Sequence, residues 1–210
     1  PYKFLDIDEN IKLEKKQASE DPDNPGNEII AIAEIQVIDE GEKTARLTKY
    51  SKLGNGSVKK VIVPSNVGGY KVRELGENCF SEIIGEMQNL IIENDTIATI
   101  GASALKGAAE LAEVTIGNSV TSIGADAFAD CSKLEHVYFN EPLASGDDWS
   151  NVMIIADGKD NKGGPAFKTN SNRLTFHGVI KSDYGPFKYA MDSATAGFTN
   201  TADGKNICYQ

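Results

Sequence analysis

Val72-Arg-Glu-Leu75-Gly76-Glu-Asn-Cys79-Phe80, Ile97-Ala-Thr-Ile100-Gly101-Ala-Ser-Ala104-Leu105 and Val120-Thr-Ser-Ile123-Gly124-Ala-Asp-Ala127-Phe128 share one pattern: aliphatic, two variable residues, aliphatic, Gly, two variable residues, small, large apolar. The glycines stand 25 and then 23 residues apart, the spacing of a repeat architecture. Short segments with period-two alternation lie before or between these blocks. They are Val61-Ile-Val63, Leu90-Ile-Ile92, Val114-Thr-Ile116, Val137-Tyr-Phe139 and Leu174-Thr-Phe176, with starts 29, 24, 23 and 37 residues apart. One unit offers a short strand, a turn at Gly, and a single helical or 3₁₀ turn carrying Ala or Cys and Phe or Leu inward. That is too little apolar surface to be stable alone, so units must stack. Strands ~4.8 Å apart then form a parallel sheet along one side, with the helical turns along the other and a continuous apolar core between. Gly76, Gly101 and Gly124 are expected to take a turn conformation that a Cβ would disfavour.

Val114-Thr-Ile-Gly-Asn-Ser-Val-Thr-Ser-Ile-Gly-Ala-Asp-Ala-Phe-Ala-Asp-Cys-Ser-Lys-Leu-Glu-His-Val137 resembles one complete repeat of the BspA-like (Treponema-type) leucine-rich repeats of bacterial surface and secreted proteins. Lys59-Lys-Val-Ile-Val-Pro-Ser-Asn-Val-Gly-Gly-Tyr-Lys-Val-Arg-Glu-Leu-Gly76 is similar to that family's usual first repeat, where a Pro-x-x-x-x-Gly-Tyr segment precedes the first aliphatic-Gly block. The resemblance implies an α/β repeat fold: a short leucine-rich-repeat solenoid with a parallel sheet on one side, short helical or 3₁₀ turns on the other, and a β-hairpin cap at the N-terminal end. It also implies a non-enzymatic binding or adhesion module, extracellular or on the cell surface, that recognises protein or glycan. A structural spacer of a larger surface protein and an exported hydrolase are the alternatives.

The chain divides accordingly. Residues 1–28 are read as an N-terminal segment and polar linker, the latter from Ala18-Ser-Glu-Asp-Pro-Asp-Asn-Pro-Gly-Asn27. Residues 29–58 are the hairpin cap, with strands at Ile35–Ile38 and Thr44–Thr48, and residues 59–140 are the repeats. Glu82-Ile-Ile-Gly-Glu-Met-Gln88 extends the first repeat and reads as an added helical turn. Residues 141–173 interrupt the array with turn-forming segments around Val152-Met-Ile-Ile155, an insertion loop with room for a short strand. Residues 174–210 hold the last repeat strand and a cap or irregular tail.

Composition narrows the function classes. The 210 residues are 40% hydrophobic and 25% charged, as in an ordinary globular protein. A net charge of -10 argues against nucleic acid as partner. The longest apolar runs, such as Glu28-Ile-Ile-Ala-Ile-Ala-Glu34, are far short of the ~20 residues a membrane-spanning helix needs, so no membrane insertion is expected. Pro1 with no charged and apolar leader after it reads as a processed chain or a fragment, any export signal already gone. Cys79, Cys131 and Cys208 are widely spaced without a Cys-x-x-Cys pair, which supports neither a disulfide framework nor a zinc site. Cys79 aligns with Ala104 and Ala127, and Cys131 with Ala108, positions that want small inward side chains.

Catalytic, cofactor-binding and metal sites are all expected to be absent. No nucleophile elbow, phosphate loop or His-Glu-x-x-His occurs. His136 and His177 flank their strands, which leaves neighbouring coils open to them, but no third group orients either for catalysis. Asp157, Asp160 and Asn161 are closely spaced oxygen donors that do not match a calcium loop and read as a solvated turn. What remains is the exposed side of the strands. Alternation aligns Ile62, Ile91, Thr115, Tyr138 and Thr175 there, with neighbours Lys60, Asn89, Glu93, Glu113, His136, Asn140, Arg173 and His177. That strip is either a solvated sheet surface or the ligand-binding face, because concave solenoid surfaces often bind without every segment doing so.

Overall fold

In the computed structural model, residues 4–8, 11–17, 30–54, 56–139, 154–155, 166–168, 174–177 and 206–207 are described. The chain begins with β1 (Phe4–Asp8), β2 (Ile11–Gln17), β3 (Ile30–Asp39) and β4 (Thr44–Leu53). The repeats contribute β5 (Lys60–Ile62), β6 (Asn66–Val67), β7 (Tyr70–Leu75), β8 (Asn89–Ile91), β9 (Thr99–Ile100), β10 (Glu113–Ile116), β11 (Ser122–Ile123) and β12 (His136–Phe139). Three short strands follow: β13 (Ile154–Ile155), β14 (Thr175–His177) and β15 (Asn206–Ile207).

The result is a parallel β-solenoid of about four turns, in which each repeat covers its neighbours' apolar faces. β5, β8, β10, β12 and β14 pair in parallel in that order, as the alternation predicts. In β10 and β12 the alternation is visible as burial: Val114, Ile116, Val137 and Phe139 point inward, and Glu113, Thr115, His136 and Tyr138 are half-buried on the other side. A second parallel ladder, β7, β9, β11 and β13, runs through the aliphatic residue before each glycine, Leu75, Ile100 and Ile123. The expectation of one sheet is thus corrected to two ladders around a single core. Phe80, Leu105, Phe128 and the small residues Cys79, Ala104 and Ala127 are all fully buried in it, as the repeat demands. Each large apolar side chain there contributes about 1.5–3 kcal/mol.

The cap is larger than the sequence suggests. β3 and β4, ten residues each, form an antiparallel hairpin with irregularities at Glu34/Ile35 and Val37/Asp39, and β2 and β1 extend it antiparallel. β4 then pairs in parallel with β7. Gly76 N donates to Leu47 O at 2.8 Å, just as Gly101 N donates to Leu75 O and Gly124 N to Ile100 O at 2.8 Å. Leu47 of the hairpin therefore occupies the place of a preceding repeat, and the cap enters the ladder instead of merely covering its end. The extension at 82–88 ties the two together. Ile83 and Met87 enter the core, and Glu86 accepts hydrogen bonds from Lys52 Nζ at 2.5 and 2.6 Å and from Val58 N at 3.0 Å.

The side opposite the strands is not helical: among the described residues there is no helix. Hydrogen-bonded turns stack there, with Ser103 N donating to Ala125 O, Leu105 N to Ala127 O and Gly107 N to Ala129 O at 2.8–2.9 Å. The cause lies in the backbone. Asn78, Ser103 and Asp126, each two residues past the glycine, take φ near +53° (52°, 54° and 53°), which aims peptide groups at the next coil instead of along a helix. The glycines themselves do not have positive φ, contrary to expectation. A Cβ on Gly76 would meet Leu47 O at 2.7 Å, one on Gly124 would meet Ala102 N at 2.6 Å, and one on Gly101 would strike Leu75 O. Close approach of successive coils excludes a side chain at this position.

Within 141–173, read as an insertion, two pieces rejoin the array. Ile154 and Ile155 pair with Ser122 and Ile123. Ala166 and Phe167 are buried, Phe128 N donates to Ala166 O at 2.7 Å, and the Phe128 and Phe167 rings stack at 4.8 Å. The tail, read as irregular, supplies β15 antiparallel to β14.

Candidate functional site

Register partners on the five parallel strands form two rows that include the outward residues. Lys60, Asn89, Glu113, His136 and Thr175 are successive register partners in one, and Ile62, Ile91, Thr115, Tyr138 and His177 in the other. The last strand departs from the expected alignment. His177, not Thr175, stands beside Tyr138, and Thr175 stands beside His136. A two-residue shift preserves the parity of the strand, whereas a one-residue shift would reverse its faces. Asn140, Arg173 and the side chain of Thr175 lie outside the described residues, as do Asp157, Asp160, Asn161 and Cys208.

Character changes along the rows. At the N-terminal end Lys60 and Ile62 are exposed, Ile62 by 48%, and Asn89 and Ile91 are half-buried; Glu93, just past β8, is exposed. In the middle Asn89 Nδ2 donates to Glu113 Oε2 at 3.5 Å. At the C-terminal end three rings gather. The Tyr138 and His177 rings stack with centroids 4.3 Å apart and planes 15° from parallel, and His136 lies 6.0 Å from Tyr138 and 5.1 Å from His177. His136 Nδ1 is 3.0 Å from His177 Nε2, a hydrogen bond whose donor depends on the tautomer. Partial desolvation, and secondly the Glu113 carboxylate, raise the Tyr138 phenol above its ordinary value, so it remains a neutral donor at physiological pH.

The arrangement offers an aromatic platform fixed by its ladder, polar donors and acceptors beside it, and an apolar stretch two strands away. It can hold an extended molecule by stacking and hydrogen bonds. Cys79 and Cys131 are in the core, away from this face. Burial pushes the Cys131 thiol up to about 12 and the Cys79 thiol higher still, so neither is a nucleophile.

Comparison with known proteins places this geometry. The family model described as the BspA type leucine rich repeat region, in six copies, matches residues 42–150. The chain belongs to the BspA-type leucine-rich-repeat family. Its stacked coils and small-then-large inward pairs are the family's repeat written out in this sequence. No curated protein matches the chain. Among solved structures it is similar to a leucine rich cell surface protein from Faecalibacterium prausnitzii A2-165, at 23% identity and TM-score 0.39, over 54% of this chain and 29% of that one. A leucine-rich repeat protein from Bacteroides capillosus matches at 22% identity and TM-score 0.43, over 53% of this chain and 85% of that one. A leucine rich repeat protein of T. pallidum matches at 20% identity and TM-score 0.36, over 50% of this chain and 56% of that one. The first of these proteins is thus covered over less than a third of its length.

Proposed function

We propose that this BspA-type chain is a non-enzymatic binding module, exposed on a bacterial surface or secreted, that engages a protein or glycan along the strand face. The observation that carries the proposal is Tyr138, half-exposed on a rigid parallel ladder and flanked by His136, His177 and Glu113. An aromatic held in place offers contact area at small entropic cost, and its polar neighbours can orient a ligand. The net charge of -10 disfavours nucleic acid. No helix among the described residues is long and apolar enough to cross a membrane. We assign residues 1–28 to an N-terminal segment and linker whose strands β1 and β2 extend the cap, 29–58 to the hairpin cap, 59–140 to the repeats, 141–173 to an insertion loop and 174–210 to the last repeat strand and C-terminal cap or tail.

The test is a screen of the purified chain against glycan and extracellular-matrix arrays, followed by Tyr138→Ala on any ligand found. Loss of about 1–3 kcal/mol of binding, with the melting temperature unchanged, is expected of a hot spot. Unchanged affinity for Tyr138→Ala, with loss on altering residues 141–173, moves the site off the sheet. A clean negative screen favours a spacer role instead.

A further inference from the structure

The chain has only two histidines in 210 residues, 41 positions apart, and the fold brings their ring nitrogens to 3.0 Å. We propose that His136 Nδ1 and His177 Nε2 form a two-histidine site for a borderline divalent transition cation of the Zn²⁺, Ni²⁺ or Cu²⁺ class. Imidazole nitrogen is a ligand that suits all three of these cations.

The spacing suits the purpose. Two nitrogens bound at ~2.0–2.1 Å to one cation are about 2.9 Å apart at a right angle and about 3.4 Å apart at a tetrahedral angle. The observed 3.0 Å lies inside that interval, so the backbone need not move. Only the rings turn. They now meet nearly end to end, with centroids 5.1 Å apart, and rotation about the soft terminal side-chain torsion aims both lone pairs toward one point in solvent. One ring at present donates its proton to the other. On binding, that ring carries its proton on the far nitrogen instead, both facing nitrogens become ligands, and the neutral pair releases no net proton.

Three features prepare the site. β12 and β14 are hydrogen-bonded neighbours, which fixes the separation of the two Cα atoms. Tyr138, stacked on His177 with centroids 4.3 Å apart, holds that ring on the strand face beside His136. Glu113, register partner of His136 on the neighbouring strand, adds negative charge to this face and favours a cation there, while its Oε2 accepts from Asn89 Nδ2. Among the described residues no group of three or more His, Cys, Asp or Glu is placed to hold a metal. The cation would therefore keep open positions for water, or for a donor atom supplied by a bound partner. The site stands independently of the proposed protein or glycan recognition.

Calorimetric titration of the full untagged chain with NiCl₂, ZnCl₂ and CuCl₂ at neutral pH tests it. One cation per chain is expected. His136→Ala and His177→Ala should each weaken binding by at least about tenfold, because losing one arm of a chelate loses the effective concentration of the other. The double variant should be little worse than either single one. Electron paramagnetic resonance of the Cu²⁺-loaded wild type should show two coordinating imidazole nitrogens, a readout that needs no variant to fold. A single variant with wild-type affinity, two independent equal sites per chain, or a one-nitrogen spectrum would overturn the site. None of these outcomes depends on Tyr138→Ala acting on a macromolecular ligand, so the two proposals fail separately.

Discussion

Replacing Gly124 by Ala separates two reasons for which a repeat retains glycine. An added Cβ would lie 2.6 Å from Ala102 N, 2.9 Å from Ala102 Cα and 2.9 Å from Gly101 C. All three are backbone atoms of the preceding coil, so no side chain can swing aside. Relief requires the coils to separate, which stretches the 2.8 Å bond from Gly124 N to Ile100 O. Overpacking of this kind costs about 1–3 kcal/mol, and weakening the hydrogen bond adds up to ~1 kcal/mol. A loss of about 3 kcal/mol is expected, which for a chain of this size lowers the melting temperature by roughly 6–12 °C. Two other glycines calibrate the effect. Gly107→Ala has φ of +82° and nothing within 4 Å, so it carries only the left-handed strain of about 1–2 kcal/mol. Gly85→Ala has open space and no positive φ, and should be neutral or slightly stabilising through the unfolded chain. Urea unfolding followed by circular dichroism, with the slope held constant across variants, reads all three. If Gly124→Ala unfolds at the same midpoint as Gly107→Ala or later, close coil approach is not what keeps this glycine.

Phe128→Ala should cost about 3–5 kcal/mol, since the ring is fully buried and stacked on Phe167, and a calorimetric melting point within experimental error of wild type would contradict that packing. Desolvation acts to raise the Glu86 carboxyl, but bonds from Lys52 and Val58 N–H outweigh it and leave Glu86 below its ordinary value. A depressed carboxylate adds stability above the unfolded value of about 4.3 and loses it as pH falls through the lower folded value. Glu86→Gln should therefore flatten the acid limb of the stability profile, with a loss near neutrality of no more than ~1 kcal/mol because the pair is partly solvated; an unaltered acid limb counts against the Glu86 bonds to Lys52 and Val58 as a tie between cap and repeats. Cys79 and Cys131 should resist iodoacetamide in the folded protein and react after unfolding, as peptide mass spectrometry would show, and rapid native labelling of either would place it outside the core.

The fold was legible where recurrence itself carries the signal. Val114/Ile116 and Val137/Phe139 announce their inward face by alternation, and the Cys79, Ala104 and Ala127 positions align by spacing alone. The second ladder was not legible, because Thr99–Ile100 and Ser122–Ile123 are two-residue strands with no period to detect. Nor was the turn side, where hydrogen bonds link residues a full coil apart and local propensity is silent about them. The glycine pattern was seen but its cause was misassigned: periodicity reports that a side chain is excluded, not whether torsion or a neighbouring backbone excludes it. In 141–173 the apolar stretch Val152-Met-Ile-Ile155 was visible as room for a short strand, but Ala166 and Phe167, which pack against Phe128, come eleven and twelve residues after Ile155, where Ala127 and Phe128 follow Ile123 by four and five.

The candidate site shows how far alternation can go. It identified the outward residues correctly on β5, β8, β10 and β12, because one buried face fixes the parity of each strand. Parity is blind to a shift of two. Aligning Leu174-Thr-Phe176 with Val137-Tyr-Phe139 puts Thr175 beside Tyr138 and leaves His177 at a strand end, and it satisfies every inward position. The actual register pairs Phe176 with Val137, which moves His177 onto Tyr138 and within hydrogen-bond reach of His136. The two alignments share one parity yet give the strand different neighbours. Parity decides which face of a strand is buried and register decides which outward residues are neighbours, so the core was legible in the sequence while the ring cluster on β12 and β14 required the structure.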